Sequence, residues 1–363
     1  MTKMQNDFTK VFTVIPDSKS KIKSSAYLES GKYAVIDQGK ELVAGYTDTS
    51  PTVDEKSLPV IVFGDHTRAV KYVDFPFTAG ADGTQILKPS VLTNPKYGFY
   101  LLLHAVSKIP SKGYARHFGE LKKMQFRLPS LDEQQEIVEK LDNAFAEIDL
   151  LEGNLELSEE KANQLLQSIL NSEYSLAGVQ LEPLEKLVDI LDSQRIPINA
   201  TERLERIGDI PYYGATGQVG TIDKAIFNET LILLGEDGVP FFDPTKHKAY
   251  EISGPSWVNN HAHVLRAKSE IVIQRYLLHF LNIFNYAGYV NGATRLKLTQ
   301  GDMKRIPVPL PSIEVQAKIV SKIDLAFKEI NNLNEQAGIK KEFISGLRQS
   351  LLSRAFTQEE VVT

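Results

Sequence analysis

The sequence predicts an α+β chain in which one unit is used twice: two similar globular α/β domains separated by two long helices that pair as an antiparallel coiled coil, with pseudo-twofold symmetry. Three observations carry that prediction. Residues 128–151 align without a gap on 310–333 at an offset of 182 residues, and thirteen of the twenty-four positions are identical, among them Gln134/Gln316, Asp142/Asp324 and Phe145/Phe327. Shared helix composition would not give so many. Apolar residues in both copies recur at alternating steps of four and three, the spacing of a coiled-coil seam. The strand and loop signals ahead of each copy also come in the same order.

In chain order, residues 1–129 form the first domain. Tyr33-Ala34-Val35-Ile36 reads as a strand running into Asp37-Gln38-Gly39, and residues 58–63 as an apolar strand ending at Gly64-Asp65-His66. Gln85-Ile86-Leu87 is a shorter strand, residues 97–106 a helix, and residues 111–117 a Gly-containing loop. Ser130 and Glu133 then make a capping box, in which each side chain satisfies the other's backbone N–H. It opens a spacer helix, residues 130–172. The apolar positions of this helix are Ile137, Leu141, Ala144, Ile148, Leu151, Leu155, Ala162, Leu165 and Ile169, with Phe145 beside them and a polar break at Ser158.

The second domain, residues 173–311, repeats the order. Residues 210–217 stand for 33–39, residues 229–235 with Glu236-Asp237 for the Gly64 strand, residues 258–265 for the Gln85 strand, and 271–284 for the helix. Residues 291–297 form the second Gly loop. The second spacer helix, residues 312–356, carries Ile319, Ile323, Ala326, Ile330, Leu333, Ala337, Ile344, Leu347 and Leu351 in the same register, with Phe327 at the Phe145 position and Lys340 at the break. Its cap is half made, since Val315 stands where Glu133 stands in the first copy. Residues 357–363 are a tail. A helix of roughly 40 residues is about 60 Å long, so each projects beyond its own domain. Gly153, Gly338 and Gly346 inside these helices each cost about 1 kcal/mol relative to Ala, and mark either kinks or close helix contacts.

Composition narrows the function classes. The chain has no cysteine, which excludes disulfides and thiolate zinc sites. The first residues hold no apolar signal core, and no apolar run reaches spanning length, so a cytoplasmic protein with no membrane association is expected. The net charge of −5 argues mildly against a phosphate binder, but acid crowds the first spacer helix while Lys and Arg gather in the segments between helices.

Catalytic motifs are missing. There is no GxxxxGK[ST] loop, and Gly214-x-x-Gly217-x-x-Gly220 lacks dinucleotide-turn spacing. Asn94-Pro95-Lys96-Tyr97 is near the Asn-Pro-Pro-Tyr loop of adenine methyltransferases, but Lys96 replaces its second proline and no Gly-rich cofactor strand precedes it. A turn before a helix explains it better. Glu120-Leu121-Lys122 has only the Glu-x-Lys half of a nuclease site, without the carboxylate cluster metal hydrolysis needs, and the seven histidines show no H-E-x-x-H, so no metal site is expected.

The loops between strands and helices are better placed for nucleic acid, where Lys can meet phosphates and Arg, Asn or Gln can meet base edges. The candidates are Gln38, Lys40, His66, Arg68, Lys112, Arg116 and His117 in the first domain. In the second they are Thr216, Lys246, Lys248, Asn259, Asn260, Arg295 and Lys297. Any of these can equally be solvated surface charge or strand-end chemistry.

The duplication, the segment Ile210-Pro211-Tyr212-Tyr213-Gly214-Ala215-Thr216-Gly217, and Arg305-Ile306-Pro307-Val308-Pro309-Leu310-Pro311-Ser312 leading into Gln316, Ile319-Val320 and Ile323-Asp324 resemble the specificity subunits of type I restriction-modification systems. The resemblance covers the whole chain and is weaker in the first domain, where Lys123-Met124-Gln125-Phe126-Arg127-Leu128-Pro129 replaces the usual Ile-x-Val-Pro-Leu-Pro. It implies two target recognition domains, each reading one half of a split site in double-stranded DNA. The paired helices would then fix the unread gap and dock two methyltransferase subunits, which a motor-nuclease subunit can join. It also implies a non-catalytic chain with no cofactor of its own, S-adenosylmethionine and ATP with Mg2+ belonging to the partners. The helix positions expected to pair or dock are Ile137, Leu141, Phe145, Ile148, Leu165, Ile319, Ile323, Phe327, Ile330 and Leu347. The alternative is a coiled-coil assembly adaptor or a fragment of a fused restriction enzyme.

Overall fold

The computed structural model describes residues 5–16, 21–80, 83–110, 115–175, 179–292, 295–356 and 361–362. The chain divides into two compact units, one of residues 1–156 and 337–363, the other of residues 157–336. The long helices Leu131–Tyr174 and Ile313–Ala355 each give one end to each unit, so the divisions between units fall inside helices.

In the first unit, Phe12–Ile15, Thr84–Pro89, Val60–Gly64 and Val70–Val73 form an antiparallel sheet in that order. Val60–Gly64 is buried throughout because both its faces are covered. With side chains alternating along a strand, Ile61 and Phe63 enter the core shared with helix Pro95–Lys108, while Val60 and Val62 enter the core shared with a second sheet. That second sheet runs Gly45–Thr47, Tyr33–Ile36, Phe77–Ala79, the last pair parallel. Helix Pro95–Lys108 starts where it does because Asn94 Oδ1 accepts from the N–H groups of Lys96 and Tyr97, at 3.0 and 3.2 Å, with Pro95 in the first turn. The Asn-Pro-Lys-Tyr segment is thus a helix cap.

The second unit repeats the order of the four-stranded sheet and the parallel pair of the second sheet, to which it adds the edge strand Phe227–Asn228. Val188–Ile190, Ala262–Ala267, Leu231–Gly235 and Ala249–Ile252 form the antiparallel sheet. Ile232 and Leu234 face the core of helix Gln274–Ile283, and Leu231 and Leu233 face the second sheet. There Ile210–Tyr213 again pairs in parallel, with Pro255–Val258. Residues 258–265, read from the sequence as one strand, are two: Asn259 Oδ1 accepts from the His261 N–H at 2.8 Å and turns the chain between them.

Within each unit the two long helices run antiparallel. In the first, Val138 and Leu141 near the start of one helix share a core with Leu351, Leu352 and Phe356 at the end of the other, and Arg348 pairs with Asp149 and, at 2.8 Å, with Glu152 while lying over the Phe145 ring. In the second, Leu166, Leu170 and Tyr174 at the end of one share a core with Ile319 and Ile323 at the start of the other. The capping box forms as read: the Ser130 N–H donates to Glu133 Oε2 at 2.9 Å, and the Glu133 N–H to Ser130 Oγ at 3.3 Å. The tail also contributes, since Val361–Val362 pairs with Gln125 and Phe126.

The seam departs from the sequence reading at three positions. Leu151, Leu165 and Leu333 are exposed, at 51, 57 and 53%. Beyond Ala162 the buried stripe advances in steps of four, to Leu166, Leu170 and Tyr174, because these residues face the globular core and a straight helix drifts away from a seven-residue repeat. Ile137, Phe145, Phe327 and Leu347 are half-buried, and Leu141, Ile148, Ile319, Ile323 and Ile330 are buried. A Cβ added to Gly153, Gly338 or Gly346 would meet nothing within 4 Å, so close helix contact does not explain these glycines.

Candidate nucleic-acid interface

In each unit the loops at one end of the central strand are tied together by the same backbone frame. Its terminal glycine abuts the carbonyl of the turn after the parallel strand, so a Cβ would lie 2.9 Å from Gln38 O at Gly64 and 3.1 Å from Ala215 O at Gly235. The next residue offers its carbonyl to the segment returning from the Gly loop: the His117 N–H donates to Asp65 O at 3.0 Å, and the Leu298 N–H to Glu236 O at 2.7 Å. Three loops therefore converge in each unit.

In the second unit this gathers Thr216, Asn259, Asn260, Arg295 and Lys297. The Asn259 N–H donates to Tyr213 O at 3.0 Å, and the Tyr250 hydroxyl holds Gly214 O at 2.5 Å. Arg295 donates to Asp237 Oδ1 at 2.7 Å, with His261 Nδ1 2.8 Å from the same oxygen, and Lys297 lies 3.1 Å from Glu236. Thr216, Asn260, Arg295 and Lys297 are exposed, so acidic partners orient these cations without burying them.

Lys246 and Lys248 belong elsewhere. Lys246 is exposed beside a groove between the long helices and the loop at residues 243–247. Lys248 is 3% exposed; its ammonium donates to Asp243 O at 2.6 Å, and burial pushes its pKa down against the pull of Asp243. A buried lysine that ties off a loop cannot meet a phosphate, which removes Lys248 from the interface.

In the first unit the frame gathers Gln38, His66, Arg116 and His117. The His66 N–H donates to Gln38 Oε1 at 3.3 Å, and Arg116 is exposed. Asp65 Oδ1 accepts from the N–H groups of His117 and Phe118, at 2.8 and 2.7 Å, leaving His117 only 2% exposed. His117 is therefore no surface contact. Arg68, at φ 62°, donates to Ile109 O at 2.7 Å and closes the end of helix Pro95–Lys108 instead of facing outward. Lys40 is exposed beyond the turn, and Lys112 lies outside the described residues.

Sequence reasoning missed the buried support beneath these loops. Asp192 Oδ2 lies 2.6 Å from His263 Nδ1, His263 Nε2 lies 2.9 Å from Leu298 O, and Arg195 spans Glu236 at 3.0 Å and Ala262 O at 2.7 Å. Burial alone would raise the Asp192 pKa, but the hydrogen bond and charge of His263, with the Val264 N–H and Gln300, hold it below the usual carboxylate range. No local pattern marked it, since His263 lies in strand Ala262–Ala267, whose first four positions are all buried. In the first unit, Lys71 donates to Asp37 O at 2.9 Å behind the turn, its pKa lowered by burial despite Asp37 and Glu41. Among the described residues no group of three or more His, Asp or Glu side chains is placed to hold a metal ion, and no helix is long and apolar enough to cross a membrane.

Comparison with known proteins agrees with this architecture. A type I restriction enzyme specificity subunit of Haemophilus influenzae is 31% identical over 146 residues, 40% of this chain and 37% of the relative, so the match spans little more than a third of that protein. The StySPI type I restriction enzyme specificity subunit of Salmonella potsdam is 22% identical over 312 residues, 75% of this chain and 67% of the relative. In fold, the chain is similar to a structure from the assembly and conformational transition of a type I R-M system, with a TM-score of 0.69 at 13% identity, covering 96% of this chain and 98% of the other. The HsdS subunit from Thermoanaerobacter tengcongensis gives 0.52 at 14%, covering 96 and 97%. The type I restriction modification DNA specificity domain matches residues 5–159 and again 182–341, most of the chain, and the protein belongs to that family.

Proposed function

We propose that this chain is the specificity subunit of a type I restriction-modification complex, each domain reading one half of a bipartite site in double-stranded DNA. The observation that carries the reading is the loop frame formed twice with different side chains: Gln38, His66 and Arg116 in one domain, Thr216, Asn259, Asn260, Arg295 and Lys297 in the other. Such groups suit base edges and phosphates, and a shared frame with unlike side chains suits two unlike half-sites. Lys40 flanks the first set.

The long helices serve as the docking surface for two methyltransferase subunits, with a motor-nuclease subunit as a further partner. Support comes from apolar side chains that the helices leave exposed, including the equivalent pairs Leu151/Leu333 and Leu157/Ile339. On this reading the chain is not itself catalytic, and S-adenosylmethionine, ATP and Mg2+ are handled by the partners. The test is selection of random duplexes by the complex with its methyltransferase. A bipartite motif is expected. Binding without any sequence preference would favour the assembly-adaptor alternative.

A further inference from the structure

The segment that carries Arg295 and Lys297 is anchored at Leu298, whose two backbone polar groups are both engaged. Its N–H donates to Glu236 O at 2.7 Å, and its carbonyl lies 2.9 Å from His263 Nε2. A carbonyl can only accept, so Nε2 carries a proton. The other ring nitrogen, Nδ1, lies 2.6 Å from Asp192 Oδ2. The Asp192 carboxylate already accepts from the Val264 N–H at 2.8 Å and the Gln300 amide at 3.1 Å, with the Arg195 guanidinium 3.5 Å away. Donors on these sides keep it ionised, so Nδ1 donates as well. With both nitrogens protonated, the His263 ring is a cation, and only 1% of its side chain is exposed.

A buried cation needs opposite charge close by. Asp192, from the turn after strand Val188–Ile190, supplies one carboxylate, and Glu236, after strand Leu231–Gly235, supplies a second at 3.9 Å from Nδ1. The other cations are Arg195 and Lys297, which lie 3.0 and 3.1 Å from Glu236. The first unit holds its returning segment without such a ring. His263 faces Leu234 across the sheet, and the residue facing Phe63 at the equivalent place, one before the glycine of the frame, is Gln85. There Asp65 Oδ1 accepts directly from the His117 and Phe118 N–H groups.

We infer that His263 is a positioning residue for the second half-site and acts as an imidazolium, its two N–H groups tying the Leu298 backbone to Asp192 and thereby fixing Arg295 and Lys297. The inference rests on the DNA-reading function for what that segment meets, while the charge of the ring stands apart from it. Losing one proton leaves a ring nitrogen facing an oxygen with no hydrogen between them, so one tie fails as pH rises. Asp192→Asn removes the need for the second proton. Its amide can donate to Nδ1 of a neutral ring, which keeps Nε2–H on Leu298 O.

Two arms test it. In the first, nitrogen-15 NMR of the histidine-labelled chain at pH 7 identifies His263 by the ring signals that His263→Gln removes. Two protonated ring nitrogens are expected, and a neutral ring overturns the proposal. In the second, the complex with its methyltransferase is titrated with duplexes altered in one half-site or the other. His263→Gln should lose at least tenfold in discrimination at the second half alone. The wild type should show the same loss over the pH range in which the ring gives up its second proton, and Asp192→Asn should keep its discrimination there. Equal loss at both halves, or none in His263→Gln, overturns the positioning role. If His263→Gln does not fold, the pH profile of Asp192→Asn against the wild type decides. A parent complex with no preference at either half sinks the DNA-reading function instead. Amide exchange at residues 295–298 then judges the positioning: it should quicken in His263→Gln while that of His117 and Phe118 stays the same, and unchanged exchange overturns it.

Discussion

Gln134 and Gln316, 182 residues apart, make the same three hydrogen bonds in their own units. Gln134 Oε1 accepts from the Asn94 N–H at 2.8 Å, and its Nε2 donates to Leu92 O and Pro129 O, each at 3.0 Å. Gln316 Oε1 accepts from the Ile273 N–H at 2.8 Å, and its Nε2 donates to Ile271 O at 3.1 Å and Pro311 O at 2.9 Å. Both side chains are 0% exposed. Each fixes the start of a long helix to the start of its domain's helix.

One turn pair further along, the match is in role and not in residue. Asp142 accepts from Lys96 at 2.6 Å and Tyr100 at 2.5 Å, and Asp324 accepts from Arg275 at 2.8 Å and lies 3.2 Å from His279. Duplication preserved the joint while its partners changed.

Replacing Gln134 or Gln316 by Ala strands one buried N–H and two carbonyls, so each variant should lose about 1–3 kcal/mol. Denaturant unfolding should show the loss for both. Wild-type stability in either variant would mean that the joint is incidental.

Gly153→Ala, Gly338→Ala and Gly346→Ala should each raise stability, by up to about 1 kcal/mol, since a methyl group meets nothing there and Ala favours the helix. Thermal melts of the three variants check this. A lower melting temperature would reveal a need for glycine that the helix geometry does not contain.

Stability should fall on acidification from neutral pH. Burial lowers the pKa of His104, with Lys108 adding to it, and lowers that of His279 against the pull of Asp324. Both rings stack on aromatic rings, His104 on Phe356 just past the end of the second long helix and His279 on Phe327 within it. Below the unfolded pKa of about 6.5 the unfolded chain takes up protons that the folded rings resist, so stability is full above that value and declines beneath it. Melts between pH 7.5 and 5 should show the decline, and His104→Leu with His279→Leu should flatten it. An identical slope in the double variant would assign the effect to other groups.

Arg295→Ala should weaken DNA binding by about 1–3 kcal/mol at one half-site, without loss of melting temperature, because its side chain is 61% exposed. Arg68→Ala should do the reverse, lowering the melting temperature by freeing the Ile109 carbonyl while leaving base preference alone. Competition binding and melts on both variants separate the two roles.

Much of this was legible because the signals were periodic or duplicated. The 182-residue repeat, the Ser130–Glu133 cap and the continuous burial of the apolar run Val60–Gly64 follow from local pattern alone. What escaped depends on tertiary approach. Leu165 faces outward because the domain core, and not the helix seam, sets the register beyond Ala162. His117 and Lys248 read as surface cations until Asp65 and Asp243 are seen to draw them in. Asp192, Arg195 and His263 carry no motif, and distant segments make them a cluster.

The central claim is that one unit, used twice, reads two half-sites independently. Selection of random duplexes should therefore be run on the methyltransferase complex with the wild-type chain, with Arg116→Ala and with Arg295→Ala. The expected result is a bipartite motif in which each substitution relaxes a different half. One contiguous motif, or both substitutions eroding the same base pairs, would contradict it.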